Sequence, residues 1–437
     1  MNSIGTCRFR LKQLFSNFAL GPVRNLLSDR LVRDAWDRAG GRCRQRLFTP
    51  LVTVLCCVFS HLQGGWSLRK VEAWMFGFGR PGSRRHGKAL SDARARLPAR
   101  FLRELIASLG RLAQHRRGLV WHGLHVALVD GTTLALERTQ CNVARFGRAG
   151  NQHRKSCFPL ARIVLSLCAG TGAVLRAMVA PYGVSEMAML LRLLPGLGPG
   201  TLVLADRYFG SWLVLWRLRR QGCHGLFQIH QARRPRCADW TGEADYIEHW
   251  DRPRAVHTRH PAALKLAPRQ LAVRIIRRRL QDGRWLSLCT TLLDQQRWPA
   301  QDVFDLYLLR WKVEIGIRHI KAEHLRGRVR ARGAKAAINE ILFGLLAYNA
   351  VRCVMADSAA EPWRLSHSQS CALILTAAEC MRGAGGVRLL MIYEDLRRSI
   401  ALTQTKTRPR PPCPRALLPR RERYPLHPDF AYPRKAA

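Results

Sequence analysis

The spacing of hydrophobic and polar positions changes near residue 118. Before it, helix-like apolar intervals separated by Gly or Pro run through LSDRLVRDAWDRAG, TPLVTVLCCVFSHLQ, SLRKVEAWMFGFG and PARFLRELIASLGRLAQHRRG. After it, short apolar runs bounded by Gly, Pro or Asp predict strands at LHVALVD, LARIVLSLCA, VLRAMVA and TLVLAD. SEMAMLLRLLPGL and SWLVLWRLRRQG predict helices among these strands. We therefore expect an all-helical N-terminal domain over residues 1–118, followed by an α/β domain with a central sheet.

Residues 231–295 interrupt that alternation. A Pro- and Arg-rich stretch precedes LAVRIIRRRL and WLSLCTTLLD, which residues 281–284 connect, and their Asp-Gly pair favours a hairpin. The pattern predicts a β insertion that divides the α/β domain into residues 119–230 and 296–400, with INEILFGLLAYNAVRCVM as an apolar helix in the second part. Residues 401–437 are rich in Pro and Arg and predict a disordered basic tail.

Two stripes of opposite character run along the segment LYLLRWKVEIGIRHIK. Tyr307, Arg310, Glu314 and Lys321 point within roughly 60° of one direction on an ideal helix of 3.6 residues per turn. The second stripe is apolar and predicts the buried face of an amphipathic helix; it consists of Leu306, Leu309, Val313, Ile317 and Ile320. A carboxylate flanked by cationic and phenolic groups, beside a buried face, is typical of a site that handles phosphates.

Charge indicates the class of partner. Lys and Arg number 73 against 29 Asp and Glu, which gives a formal charge of +44. Such a chain repels itself unless it meets a polyanion, and nucleic acid fits best. The basic residues are mostly Arg, whose planar fork suits phosphate, although GC-rich coding also raises Arg usage. Membrane-surface binding is the weaker explanation, because no basic amphipathic anchor stands out.

Cysteines and apolar runs indicate the compartment. The 14 cysteines form no CxxC pair, which argues against a zinc site or a disulfide framework and favours reduced thiols in the core. The longest purely apolar stretch, LVTVLCCVF, is about half a membrane span. The first residues, MNSIGTCRFRLKQLF, lack the features of a signal peptide. We expect a cytoplasmic protein, associated with the nucleoid through DNA.

Three carboxylates form a candidate metal site. LHVALVD is predicted to end as a strand at Asp130, and TLVLAD at Asp206. Functional groups collect beyond the C-terminal ends of strands in open α/β sheets, and Glu314 could join them from its helix. Oxygen ligands of this kind hold Mg²⁺, and a pair of such ions supports in-line phosphoryl displacement.

Each carboxylate also has a purely structural explanation. Asp130 before Gly suits an ordinary turn. Asp206 could cap the helix that follows it. Glu314 could simply pair with Arg310 or Arg318 at helical spacing. The functional interpretation therefore depends on the three occurring together, in this order, in a chain of this charge.

These residues resemble a known family. The spacing of Tyr307, Arg310, Glu314 and Lys321 is similar to the Y-(2)-R-(3)-E-(6)-K signature of the insertion-sequence-four family of DDE transposases. The resemblance covers most of the chain and extends to DGTTL, SEMAMLLRLL, LADRYF, TPLVTVLCCVFSHLQGGWSLRKV, ALSDARARLP and GNQHRKSCFPLARIVLSLCAGTGAVLRAMVAPY. It implies a ribonuclease-H-like catalytic core with a β insertion between the second Asp and the Glu.

The resemblance also implies roles for individual residues. Asp130, Asp206 and Glu314 would be the catalytic, metal-binding triad, separated by 76 and 108 residues (206 − 130 and 314 − 206). The DNA contacts would come from the remaining signature residues and from the residue after the second Asp, namely Tyr307, Arg310, Lys321 and Arg207. Tyr208 departs from the family pattern, where a smaller or more polar residue is expected, and this puts the local geometry in doubt.

In hairpin-forming relatives a Trp of the insertion stacks on a base flipped out near the cleavage point. Trp285, at the start of the return strand of the predicted hairpin, is the best match. A Trp buried against the sheet is the structural alternative. Trp298 is a weaker match, because Pro299 suggests a loop.

The function implied is cut-and-paste transposition. The protein would bind the terminal inverted repeats of its own element and, with Mg²⁺ or Mn²⁺, nick one strand, form and open a hairpin, and join target DNA. By resemblance it would act as a homodimer that bridges two ends. Two alternatives remain open: an inactive relic that still binds the repeats, and a structure-selective ribonuclease-H-like nuclease that cuts branched DNA without sequence preference.

Overall fold

A computed structural model describes residues 23, 26–41, 48–76, 88–150, 155–230, 242–254, 267–381 and 384–405. The predicted basic tail therefore lies outside the described residues apart from 401–405. The described part is a mixed α/β structure around one large sheet, which confirms the predicted α/β class with a central sheet.

The four helices predicted before residue 118 are present, and the structure adds one, α4, that the apolar spacing did not predict. In chain order the helices are α1 Asp29–Arg38, α2 Pro50–Leu62, α3 Leu68–Phe76, α4 Lys88–Arg96 and α5 Ala99–Arg117. Ser28 and Thr49 begin α1 and α2 by accepting hydrogen bonds from backbone N–H groups three residues later. Buried residues of these helices belong to the same hydrophobic cluster as one face of the sheet. A separate helical domain ending at residue 118 therefore stays a prediction.

Seven strands of the sheet come from the first part of the predicted α/β region, and five of them form the centre of the sheet. In chain order the strands are β1 Val120–Trp121, β2 Leu124–Leu136, β3 Arg148–Gly150, β4 Lys155–Cys168, β5 Val174–Pro181, β6 Thr201–Ala205 and β7 His224–Gln228. The middle follows the order β5-β4-β2-β6-β7. Within it, β4 is antiparallel to β2 and β5, whereas β6 and β7 run parallel to β2.

Helices cover both faces of this sheet. Between the strands lie α6 Gln140–Phe146, α7 Glu186–Leu193 and α8 Trp212–Arg220. Side chains of β2 alternate between two cores: Leu128 packs with α5 on one face, and Val129 packs with α7 and α8 on the other. Because of this alternation, the position of a polar residue along β2 determines to which face of the sheet its side chain points.

The predicted insertion contributes three strands: β8 Ala244–Asp251, β9 Gln270–Arg279 and β10 Trp285–Thr290. β9 and β10 form the expected antiparallel hairpin, and Gly283 in its turn adopts φ +84°, which Gly accommodates without strain. β10 also pairs with β7, so these strands extend the central sheet. The pairing of β10 with β7 does not test the domain boundaries, which stay a prediction.

One strand prediction was wrong. β2 does not end at Asp130 but continues to Leu136, so Asp130 lies inside the strand, opposite Leu165 of β4. The pairing of β2 with β6 nevertheless stops at Leu128 and Leu204. Asp130 therefore lies where the parallel pairing ends, although its own strand is carried further by β4.

The striped segment is not one regular helix. It comprises α9 Ala300–Leu308, a 3₁₀ turn Leu309–Trp311, α10 Lys312–His319 and a π-helical turn Ile320–His324. Four of the five residues in the predicted apolar stripe are buried and Leu309 is partly buried, so the buried face was predicted correctly. The 3₁₀ turn changes the direction of residues before it relative to those after it.

After the short strand β11 Arg328–Val329, the chain forms α11 Ala334–Ser358, α12 His367–Cys380 and α13 Gly386–Ala401. Among the described residues, α11 is the one helix that is long and apolar enough to cross a membrane. Inside the protein, 89% of its apolar window is buried, where it packs against α2, α4 and α5. Its hydrophobicity is therefore explained by its position at the centre of the core.

Candidate functional site

Asp130 and Asp206 meet at the same level of the sheet. His125–Leu128 of β2 pair in parallel with Thr201–Leu204 of β6, each residue with the one 76 positions later. The same offset relates Asp130 to Asp206, which directly follows the last residue of β6. Asp130 lies two residues beyond Leu128 in β2 and so has the same facing, and Asp206 lies two residues beyond Leu204 at the end of the adjacent strand, about 4.8 Å away.

Glu314 approaches this pair from α10. Lys321 Nζ donates to Oγ1 of Thr132, 3.2 Å away, which ties the helical segment to β2 two residues beyond Asp130 and on the same face. Arg310 donates to Oε1 of Glu314 over 3.1 Å, and this pair is partly buried. Glu314 is close enough to Asp130 to act on its ionisation. Asp130 thus interacts electrostatically with both of the other predicted carboxylates.

Electrostatics support this convergence. The pKa of Asp130 is raised to about 6, mainly by burial and also by the negative charges of Asp206 and Glu314. The N–H of Gly131, which donates to Asp130 Oδ1 over 2.7 Å, and the charge of Arg310 act in the opposite direction on that pKa. Three acidic groups therefore lie near one another at a partly buried position, and the positive charge nearby offsets their negative charge only in part.

A divalent cation fits this donor set. The three carboxylates offer only oxygen ligands, which Mg²⁺ prefers. Burial and the charges of Asp206 and Glu314 penalise the charged form of Asp130, and a bound cation would reduce that penalty. Asp130, Asp206 and Glu314 are thus the residues that would hold the metal. The ion itself is not identified by these residues, since Mn²⁺ accepts the same ligands.

Tyr307 is placed differently from the other signature residues. Its side chain is only 5% exposed, and its hydroxyl donates to the carbonyl of Ala205 over 3.2 Å. Burial raises the pKa of Tyr307 above its usual range. The hydroxyl therefore holds the end of β6 next to Asp206. Its predicted contact with a DNA phosphate stays a prediction, and it would require the hydroxyl to leave Ala205.

Two further predicted contact residues, Arg207 and Trp285, are exposed. Arg207 and Tyr208 are exposed directly after Asp206. Trp285 is 40% exposed at the start of β10, where the guanidinium of Arg277 lies 4.6 Å from its ring centre. Trp298, the weaker match, is buried. Exposure favours Trp285 over Trp298 as a residue that could meet a base.

A cleft of about 1110 Å³ adjoins Glu314, and besides Lys321 it contains two cations that the sequence did not single out for binding. Arg318, Lys321 and Arg326 all line it. Arg318 could have been found from its spacing of four residues after Glu314, whereas Arg326 lies beyond the π-helical turn, where helical spacing no longer applies. A basic cleft beside the carboxylates offers a path for a phosphate backbone.

Comparison with known proteins identifies the family. A family described as "Transposase DDE domain" matches residues 121–350, which is more than half of the 437 residues. The matched range begins in β1, ends in α11 and includes Asp130, Asp206 and Glu314.

Two relatives from Escherichia coli (strain K12) are similar. The "Transposase InsG for insertion sequence element IS4" is 26% identical over 351 residues, which cover 78% of this chain and 78% of that protein. The "Putative transposase InsZ" is 28% identical over 105 residues, which cover 24% of this chain and 35% of that protein. Among solved structures, a piggyBac transposase synaptic complex with hairpin DNA aligns with 10% identity over 91% of this chain and 86% of that chain; its TM-score of 0.44 is too low to carry an argument.

Proposed function

The chain belongs to the family of insertion-sequence-four DDE transposases, and on this basis we propose that it moves its own mobile element by cut and paste. It would bind the terminal inverted repeats, cleave at the ends of the element and join those ends to target DNA. The observation that carries this proposal is the convergence of Asp130, Asp206 and Glu314 at the end of the parallel strand pairing.

The proposed catalytic core is ribonuclease-H-like. Support comes from the order β5-β4-β2-β6-β7, in which an antiparallel meander of three strands is followed by two strands parallel to the first. β8, β9 and β10 lie between Asp206 and Glu314 in sequence, as an insertion in such a core would. The five helices before β1 would form the N-terminal DNA-binding domain of residues 1–118.

We assign the metal to the triad and take it to be Mg²⁺, with Mn²⁺ as a substitute. When bound, such ions lower the pKa of water and stabilise the attacking and leaving oxygens of a phosphoryl displacement. Asp130 must lose its proton to act as a ligand, and its raised pKa of about 6 means that it is largely ionised at neutral pH. Arg310 holds Glu314 in place through the 3.1 Å ion pair.

The proposed reaction has four displacements at phosphorus. Water attacks one strand at the end of the element and releases a 3′-hydroxyl. That hydroxyl attacks the opposite strand, which gives a hairpin, and a second water opens it. Finally the same hydroxyl attacks target DNA. In each step one P–O bond forms and one breaks, so a single site can serve all four and no covalent protein intermediate is needed.

DNA would lie across the basic surface around the triad. Arg310 and Lys321 flank Glu314, Arg207 follows Asp206, and Arg318 and Arg326 line the adjoining cleft. Trp285 is proposed to stack on a base displaced from the helix near the cut, which is worth ~1–3 kcal/mol. We further propose a homodimer that brings two ends together, as concerted excision of an element requires.

The proposal is tested with DNA from the ends of the element. The purified chain is incubated with a labelled inverted-repeat duplex and with a scrambled duplex of the same composition, with and without Mg²⁺. We expect nicks and hairpins on the repeat alone and only with Mg²⁺. A repeat that is bound but never cut would indicate the inactive relic, and equal cutting of branched and scrambled DNA would indicate the nuclease.

A further inference from the structure

A fourth carboxylate lies beside the triad. Glu186 is the first residue of α7, which begins at Ser185, the side chain that accepts from Ala188 N. α7 packs in the cluster that contains Val129, whereas Asp130 and Thr132 have the facing of Leu128. Glu186 therefore approaches β2 at Gly131 from the face opposite to Thr132, which Lys321 contacts.

Gly131 makes that approach possible. A Cβ atom at residue 131 would lie 2.4 Å from Cδ of Glu186 and 2.6 and 2.7 Å from its two carboxylate oxygens. These distances are shorter than real Cβ contacts, so a side chain at residue 131 would displace the carboxylate, the flexible end of Glu186, from the backbone of β2. No positive φ is recorded at Gly131, so its need for Gly is explained by this close approach. The carboxylate is thereby held beside the residue that follows Asp130.

Arg162 is the ion-pair partner of Glu186, but it balances the charge of that carboxylate only in part. Arg162 Nε lies 3.8 Å from Oε1 of Glu186, which is too long for a hydrogen bond. That guanidinium instead donates to the carbonyl of Val184 over 3.0 Å and lies 4.8 Å from the ring centre of Tyr182. The half-buried Glu186 also feels the charge of Asp206, which raises its pKa after the larger effect of burial. A half-buried carboxylate whose charge is only partly balanced favours a cation nearby.

We propose that Glu186 is a fourth oxygen donor of the metal centre, reaching the cation past Gly131 from the face opposite to Glu314. This inference rests on the proposed metal-dependent function of the triad. It assigns Gly131 a specific purpose: the residue after Asp130 has to lack a side chain so that acidic groups from both faces of the sheet can meet at one ion.

The first test measures metal binding without DNA. Free Mn²⁺ is titrated against the full chain and quantified by its electron paramagnetic resonance signal. Glu186→Gln keeps the shape of the side chain and removes its charge, and we expect its affinity for Mn²⁺ to fall about tenfold, as when a supporting ligand is lost. Glu186→Asp keeps the charge and should recover part of that affinity. Asp395→Asn, on the exposed surface of α13, is the control and should bind as the wild type does.

The second test uses Gly131. Gly131→Ala places a methyl group where the Glu186 carboxylate lies, so it should lower Mn²⁺ affinity to a similar degree. Combined with Glu186→Gln, it should cause little additional loss, because both changes remove the same contact. Thermal unfolding of each variant without metal shows that the chain is folded. Additive losses in the double variant would overturn the proposed route past Gly131.

The outcomes separate this inference from the proposed function. If Asp130→Asn loses Mn²⁺ binding and end cleavage while Glu186→Gln retains wild-type affinity and the wild-type Mn²⁺ requirement for cleavage, Glu186 only begins α7 and the inference is wrong. If Asp130→Asn also binds Mn²⁺ as the wild type does, the triad itself is not a metal site. A higher Mn²⁺ requirement for cleavage in Glu186→Gln, with unchanged thermal stability, supports the inference.

Discussion

Asp130 and Asp206 lie at the same level of two adjacent parallel strands, because the 76-residue offset that pairs β2 with β6 also separates the two carboxylates. Their proximity is therefore set by backbone pairing rather than by flexible side chains. Two of the three carboxylates are thus placed by the sheet, and the third, Glu314, comes from a helical segment that Lys321 links to Thr132. Placement by regular backbone suits the positioning of reacting phosphates.

Arg310→Ala tests the proposed phosphate contact. We expect weaker binding to the repeat and a salt dependence reduced by about 0.9 in the slope of log K against log salt, since one phosphate contact is lost. Binding is measured by fluorescence anisotropy between low and physiological salt. Arg398→Ala, on the exposed face of α13, removes the same charge far from the triad in sequence and should leave the slope nearly unchanged.

Tyr307→Phe distinguishes positioning from DNA contact. Loss of the buried bond to the Ala205 carbonyl should cost about 0.5–1.5 kcal/mol in the free energy of unfolding. We expect slower cleavage, because the residue before Asp206 is held less firmly, and an unchanged salt slope for binding. A slope that falls as in Arg310→Ala would show instead that the hydroxyl reaches a phosphate.

Trp285→Ala tests the stacking role. Loss of about 1–3 kcal/mol of base stacking should slow hairpin formation roughly 5- to 150-fold while the first nick is retained. Both steps are followed on a labelled end by denaturing gels. Trp298→Ala serves as a comparison, because this buried residue should lower thermal stability and affect both steps. Equal slowing of nicking and hairpin formation in Trp285→Ala would contradict the stacking role.

The buried histidines predict acid sensitivity. Burial, together with the charges of the neighbouring His61 and His319, lowers the pKa of His324 to about 3. Because the folded pKa lies below the unfolded value of about 6.5, stability is complete above pH 6.5 and falls as the pH decreases toward the folded pKa. The loss should approach about 1.4 kcal/mol per pH unit for each such histidine.

Chemical unfolding between pH 7.5 and 5 measures this dependence. His324→Gln should be less stable at pH 7.5, because it loses the 2.9 Å contact between its Nε2 and that of His367, yet its stability should change less with pH. His115→Gln alters an exposed histidine of α5 and should follow the wild-type curve. An equal slope for His324→Gln and the wild type would show that His324 does not carry the acid sensitivity.

Some features of the site could be predicted from local sequence and others could not. Asp206 was placed correctly because TLVLA is a short buried strand that ends where its apolar run ends. Asp130 was wrongly placed at the end of its strand, because β2 continues through polar residues that pair with β4. Pairing with the distant strand β4 decides where β2 ends, and the residues near Asp130 do not reveal that pairing.

The sequence also did not predict how deeply each side chain is buried or in which direction it points. Helical spacing grouped Tyr307 with Arg310 and Glu314, but the 3₁₀ turn at Leu309–Trp311 turns the chain by a larger angle per residue, and Tyr307 points into the core. Glu186 was missed because its relation to Gly131 depends on how α7 packs on the sheet. Glycine after Asp130 was the one local signal, and it equally suited a turn.

The central claim is that Asp130, Asp206 and Glu314 act together on a metal-dependent reaction, and cleavage of a labelled inverted-repeat end in Mg²⁺ tests it most directly. Asp130→Asn, Asp206→Asn and Glu314→Gln should each reduce the cleavage rate at least about a thousandfold, because several kcal/mol of charge stabilisation are lost, while end binding is largely kept. A rate near that of the wild type in any one of these variants would remove that residue from the active site and contradict the account.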